Sequence, residues 1–531
     1  MSIATGPAGP PQHPVRWWET RWFVLLIMLA SALPLVWPNV APLVDLPGHI
    51  GRYRVQLELA SSPELQQFYT FHWQLIGNLG VDLLVQLFAP IFGLEPTVKV
   101  IVLLIPVLTV GGLLWIAHEV HGRIPPTALF AVPFAYNYPF LFGFVNFALA
   151  MGLAMLAFAL WLRLGRQERV VLRAILFVPI SLALWVCHAF GWGALGVLAF
   201  SAELVRQYDK GRGFFMSAVY AGLHCLPLIP PVGLMLLWRS GSQGTTGDWF
   251  NWQTKLDWIS MVLRDRWRLF DLGALAIAFA LLGWACVAKR LTYSRNLAAS
   301  ALFLIAVFVL LPRIVFGSAY ADMRLAPYIF MIALIAIRIP ESAGQRFSQA
   351  LAIAGLAFVL VRTAGSTAST FLYDRSYDRE LAALDHVPWG ARLVTFVGRP
   401  CVEEWAMSRR LHLPAMAIVR RHAFSNDQWT MAGAQLLQVS YRPGWPYIRD
   451  PTEVVTSRRC PREVWRTLDT SLATFPRDAF DYVWIMDPPD YDHSLTLGLT
   501  EVWRDGRSVL YRVDRPQPAA TTQTAETQSA H

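Results

Sequence analysis

Apolar residues fall along this chain in long, nearly unbroken blocks, separated by short basic or aromatic connections, as far as residue 365. A helix needs roughly 20 mainly apolar residues to cross about 30 Å of hydrocarbon. By that measure the pattern predicts about 11 spans, at 22–38, 97–117, 127–142, 144–162, 171–187, 189–205, 214–238, 271–288, 297–316, 321–338 and 347–363. The stretch Leu79–Phe92 is short, carries Asp82 and contains Pro90, so it reads as an interfacial amphipathic helix and not as a further span. Beyond residue 365 the pattern is that of a small α/β domain. Arg392–Val397 and Phe480–Met486 read as buried strands, and Glu501–Tyr511 reads as a hairpin around Asp505-Gly506. Tyr377–Leu384 reads as a helix.

The predicted organisation is a cytoplasmic, disordered N-terminus (1–21), a helical membrane domain (22–365) with a long first outer loop (39–96), an α/β domain outside the cytoplasm (366–515) and a disordered tail (516–531). Composition agrees: 55% of the 531 residues are hydrophobic and 15% charged, with a mean hydropathy of +0.40. That balance excludes a soluble protein of this length. The net charge of +9 points to cytoplasmic loops and not to nucleic acid. Arg163–Arg169, Arg206–Arg212 and Lys289–Arg295 are basic and fall on one side if the N-terminus is cytoplasmic. Cys187, Cys225 and Cys286 lie in apolar runs, whereas Cys401 and Cys460 share the C-terminal domain, where a disulfide is open to them.

The polar residues that interrupt this pattern carry the candidate chemistry. Asp45-Leu46-Pro47-Gly48-His49 stands where the chain leaves the first apolar run. A carboxylate at the start of a helix is favoured as an anion by the helix dipole and can accept a proton from an attacking hydroxyl. His49, Arg52 and Gln56 share a helical face, and Arg54 and His72 follow in the same loop. The blander alternative makes Asp45 a helix cap and His49 an interfacial residue. Asp322 and Arg324 open a late span, where charges are expensive and usually have a partner or a task. A local Asp–Arg pair explains them equally well. Arg264 and Arg266 lie in the Trp-rich loop 241–271, which also fits an aromatic belt. His188, and Asn146 with Gly152, are weaker signals, the last two being usual in helix packing.

This plan of a cytoplasmic start, a long first outer loop opening on an acid, many spans and an outer C-terminal domain resembles the GT-C fold glycosyltransferases, enzymes that use polyprenyl-phosphate sugars. Asp45-Leu46-Pro47-Gly48-His49 is similar to their first-loop acidic motif, and Asp322-Met323-Arg324-Leu325-Ala326-Pro327 to an Arg-containing motif at a late span. The resemblance implies transfer of a sugar from a polyprenyl-phosphate donor to an acceptor outside the cytoplasm, at a bacterial inner membrane. Asp45 and His49 would be catalytic. Arg52, Arg54, His72, Arg264, Arg266, Asp322 and Arg324 would bind the substrates. Many members carry paired acids in the first loop, but here Leu46 follows Asp45. No cofactor is therefore certain, and a divalent metal ion stays open.

Two other classes compete. A transporter or flippase for a lipid-linked glycan would place charges near mid-membrane between repeats. The chain has no internal repeat, and its polar residues gather at the outer ends of spans. A structural partner in an envelope assembly would use the C-terminal domain and leave Asp45 idle.

Overall fold

The computed structural model describes residues 15–237, 245–315, 317–402, 404–430, 436–461 and 463–515. The disorder expected at the two termini and the Gly-rich start of the loop after residue 241 lie outside the described residues.

Helices dominate up to residue 381. Among the described residues six are long and apolar enough to cross a membrane: Leu94–His121, Val145–Arg166, Val170–Cys187, Ala189–Asp209, Arg268–Val287 and Gln345–His386. Phe214–His224 and Leu226–Leu236, bent by 47° at their junction, make a seventh if they act as one span. These helices suit a multi-pass membrane protein. Three predicted segments fall on the shorter helices Arg21–Leu35, Arg295–Leu310 and Ala326–Ala336. The segment 127–142 is corrected outright. It forms a 3-10 stretch, Pro126–Tyr136, and a short helix, Tyr138–Phe142, nearly all of it buried. Pro126, Pro133 and Pro139 deny an α-helix its backbone donors, so this apolar run fills the protein interior instead of facing lipid. Gly80–Phe92 is a helix of 13 residues, too short to span, and it buries Asp82 completely.

Small residues set the helix spacing. A Cβ on Gly112 would lie 2.5 Å from Met155, and one on Gly152 would lie 3.1 Å from Thr109. The Leu94–His121 and Val145–Arg166 helices therefore approach closely along this seam. Gly191 meets Ala150 in the same way.

The Gln345–Leu381 helix runs without a break through residue 365, so the sheet begins only after that helix ends. A six-stranded sheet follows. Its strands lie side by side as Arg466–Thr467, Val454–Thr456, Leu393–Gly398, Tyr482–Met486, Ser508–Val513 and Leu499–Asp505. The first four are parallel and the last two form the predicted antiparallel hairpin. Cys401 and Cys460 are joined by a disulfide.

The C-terminal domain is woven into the first outer loop. Tyr69–Phe71 pairs antiparallel with Leu437–Val439. Val55, Leu65 and Phe68 of the loop share one apolar core with Val394, Phe396 and Ile418 of the domain. Gly51 lets the Leu46–Glu58 helix lie against Ala415, where a Cβ would be 3.0 Å from its neighbour. The domain thus forms a roof over Asp45.

Candidate functional site

Asp45 owes its position to backbone contacts. Val44 N–H donates to the Leu141 carbonyl at 3.2 Å and Asp45 N–H to the Phe142 carbonyl at 2.9 Å. Both bonds depend on Gly143, which has φ +100° and whose Cβ would lie 2.6 Å from the Asp45 nitrogen. Any L-residue there is strained as well as crowded. Gly143→Ala should destabilise the protein by about 1–3 kcal/mol from backbone strain alone. Thermal unfolding in detergent checks this, and an unchanged midpoint would contradict the account.

Asp45 precedes the Leu46–Glu58 helix, yet its side chain makes no capping hydrogen bond. The carboxyl instead faces a cavity of about 430 Å³. Burial pushes it well above the usual carboxylate range, Asp450 pushes in the same direction, and Arg324 opposes them. Desolvation thus acts against the charge that the helix dipole is expected to favour. The result is a carboxyl that binds a proton more readily than a solvated one.

Around it the cavity is lined by His49, His188, Arg324, His412, Trp429 and Asp450, among others. His49 lies between the rings of Tyr53 and Trp429, at 6.3 and 5.3 Å, and its Nδ1 has no hydrogen-bond partner. Trp429 also packs on His412 at 4.2 Å. It can reach this place only because residue 48 is glycine, since a Cβ there would lie 2.6 Å from the indole. His412 Nε2 is 3.9 Å from the Asp45 carboxylate. Arg324 packs its guanidinium on Phe144, at 4.3 Å, and on Phe190, at 5.6 Å. Its Nε is buried without a partner, and among the described residues no carboxylate stands at ion-pair distance from it. A cation held on aromatic faces and left without a counter-ion is available to an anionic ligand.

Other sequence candidates are corrected. Arg52 points away from the cavity and forms a buried ion pair with Asp82 at 2.7 Å. Gln56 turns the same way and donates to the Asp82 carbonyl at 3.0 Å. Arg54 pairs with Glu58 one turn on. His72 is exposed, its N–H bonded to the Leu436 carbonyl at 3.1 Å. Arg264 is buried against Tyr138 and the carbonyls of Glu404 and Trp405, and Arg266 covers the Tyr373 ring at 4.7 Å. Neither lines the cavity. Asp322 does not pair with Arg324. It accepts from Lys255 at 3.1 Å and from the Trp258 indole at 3.1 Å, so it anchors the Trp-rich loop. Long side chains that sequence spacing aims at one site are claimed by nearer buried partners.

A second cavity of about 350 Å³ adjoins the first. The two share Asn78, His188, Ser318 and Arg324. Its remaining wall is mostly apolar, including Phe190, Val197, Leu304, Val307 and Leu311. The basic loops gather at the opposite end of the helices. Arg206 reaches Glu168 at 2.9 Å, Arg295 reaches Asp209 at 2.7 Å, and Thr292–Tyr293 pairs with Ile337–Arg338. In the Val145–Arg166 helix, Asn146 lines the site and Arg166 belongs to the basic end. The separation is about 30 Å, one bilayer core.

His412, Trp429 and Asp450 escaped the sequence reading. Each lies far along the chain from Asp45, and none stands in a motif. No protein-family model matches the chain, and no curated protein matches it in sequence.

Proposed function

We propose that this chain is a membrane glycosyltransferase that moves a sugar from a polyprenyl-phosphate donor to a hydroxyl on a glycan, lipid or protein outside the cytoplasm. One observation carries the reading: the cavity that holds Asp45, with Asp450 and histidines also on its wall, adjoins a more apolar one, and Arg324 lines both. That arrangement fits a ligand with a hydrocarbon chain, an anionic linkage and a polar head, in that order.

In this reaction Asp45 takes the proton of the acceptor hydroxyl. The hydroxyl oxygen bonds to the anomeric carbon as the bond from that carbon to the phosphate oxygen breaks. The phosphate leaves with the electron pair, and Arg324 stabilises its charge. Asp45 and Arg324 are buried, so these charges interact more strongly than in water. His49 and His188 line the same space and offer hydrogen bonds to the sugar or phosphate.

The same reading sets the chain in a bacterial inner membrane with the N-terminus cytoplasmic and the C-terminal domain periplasmic. Two features support it. The basic loops gather about 30 Å from the site, and the roof domain carries a disulfide, which suits an oxidising compartment.

The test uses purified full-length protein in liposomes with a polyprenyl-phosphate sugar, measuring released polyprenyl phosphate. Gly193 lines the apolar cavity, and nothing lies within 4 Å of a Cβ built there. Gly193→Leu should therefore fold normally and fill the groove. We expect it to raise KM for a long-chain donor while sparing a donor with a very short chain. Equal effects on both donors would remove the groove from the proposal. Absence of any polyprenyl phosphate release with a panel of sugars and acceptors would overturn the reading.

A further inference from the structure

The part of the roof that faces Asp45 holds a group of acids without cations. His412, Asp450 and Glu453 bring one donor atom each to within 4.8 Å of one another. His412 and Glu453 are buried, at 2% and 0% exposure, and Asp450 is half-buried. No hydrogen bond of good geometry reaches either carboxylate oxygen of Glu453, which has Asp450 beside it, or either oxygen of the adjacent, fully buried Asp427, which has Ser425 beside it. His412 Nδ1 likewise has no hydrogen bond of good geometry, the backbone of Asp427 being its neighbour. Among the described residues no lysine or arginine lies at ion-pair distance from Asp427, Asp450 or Glu453.

Buried carboxylates without a counter-charge are costly, and proteins usually pair them or use them to coordinate metals. The loops that carry these groups are nevertheless held firmly. Asp450 N–H donates to the Gln428 carbonyl at 3.2 Å, and Asn426 Nδ2 donates to Thr452 Oγ1 at 3.2 Å. The acids are thus fixed against one another by bonds unrelated to their charge.

We propose that His412, Asp450 and Glu453 form a binding site for a divalent transition cation of the Zn²⁺ or Mn²⁺ class, at the rim of the Asp45 cavity. One imidazole and two carboxylates suit these ions, and the lack of thiolate argues against softer metals. Donor atoms at about 2.0–2.2 Å from one ion lie within roughly 4.4 Å of one another, a span comparable with the upper limit found for this group. His412 and Asp450 both line the cavity, which leaves an open coordination position facing Asp45 and any ligand there.

The site is tested without any sugar transfer, so its failure is separate from failure of the proposed reaction. Full-length protein in detergent is stripped with EDTA and titrated with Mn²⁺, free ion being followed by electron paramagnetic resonance. We expect saturable binding of one Mn²⁺ at this site, displaced by Zn²⁺. Glu453→Gln should weaken it at least about tenfold. No saturable binding of either ion, or equal binding by wild type and Glu453→Gln, would overturn the proposal. Thermal unfolding gives an independent reading. Metal should raise the midpoint of the stripped wild type, whereas Glu453→Gln should start higher, its repulsion removed, and gain nothing from metal. A metal-induced gain that persists in the variant also overturns the site.

Discussion

Asp45→Asn should slow release of polyprenyl phosphate by about a hundred- to ten-thousand-fold, the range typical of losing a general base. The fold should be unaffected. What fixes this residue is its N–H bond to the Phe142 carbonyl and its own carbonyl, which accepts from His49 N–H at 3.0 Å. Asparagine keeps both. Its amide has the shape of the carboxyl and carries no charge, and desolvation is the largest influence acting against that charge in the native protein. The variant should therefore unfold at the wild-type temperature or slightly above it. Loss of turnover together with an undiminished midpoint separates a chemical role from a packing role. If the variant keeps more than a tenth of wild-type activity, Asp45 is not the base. If it loses activity and unfolds early, the residue acts through structure. Donor affinity should change less than turnover, because the proposed reaction gives phosphate recognition to Arg324.

The sequence showed where charge meets the end of an apolar block, and that singled out Asp45, His49 and Arg324, which line one cavity. These three lie close to the cavity because helix ends at one face of a bundle are necessarily close together. The same logic failed for Arg52. Its spacing from His49 is correct for a shared face, but a helical face is wide, and Asp82 of another helix claims the guanidinium. Asp322 was drawn off by Lys255 in the same manner. The segment 127–142 was misread because hydropathy does not distinguish lipid from protein interior. Its two prolines, Pro133 and Pro139, with Pro126 just before them, held the clue, since prolines this closely spaced disfavour a regular helix. The hairpin and the two buried strands of the C-terminal domain were legible from alternation and from the Asp-Gly turn. The docking of that domain was not, because a contact such as Trp429 on Gly48 spans most of the chain. Only the glycine itself hinted that something must approach closely.

The largest expected loss of stability comes from Asp82→Ala. Asp82 is fully buried, receives Arg52 at 2.7 Å and 3.2 Å, and accepts from Asn146 Nδ2 at 3.0 Å. Arg52 is 1% exposed. Removing one member of a buried pair leaves an uncompensated charge and typically costs about 3–5 kcal/mol. Replacing both, as in Arg52→Met with Asp82→Leu, should restore most of that loss, because the desolvation cost disappears with the charges. Unfolding of the single and double variants in detergent measures the difference. A single variant within about 1 kcal/mol of wild type, the range of exposed pairs, would mean that the pair is solvated. The consequence reaches the site through Asn146. Its amide bonds Asp82 and the Asn78 carbonyl at 3.1 Å, and both asparagines line the cavity beside Asp45. The double variant should therefore recover stability more fully than turnover, because leucine removes one of the bonds that hold Asn146 and leaves those to Val81 N–H and the Asn78 carbonyl. That split would show that the buried pair is kept less for stability than for fixing the wall against which the substrate binds.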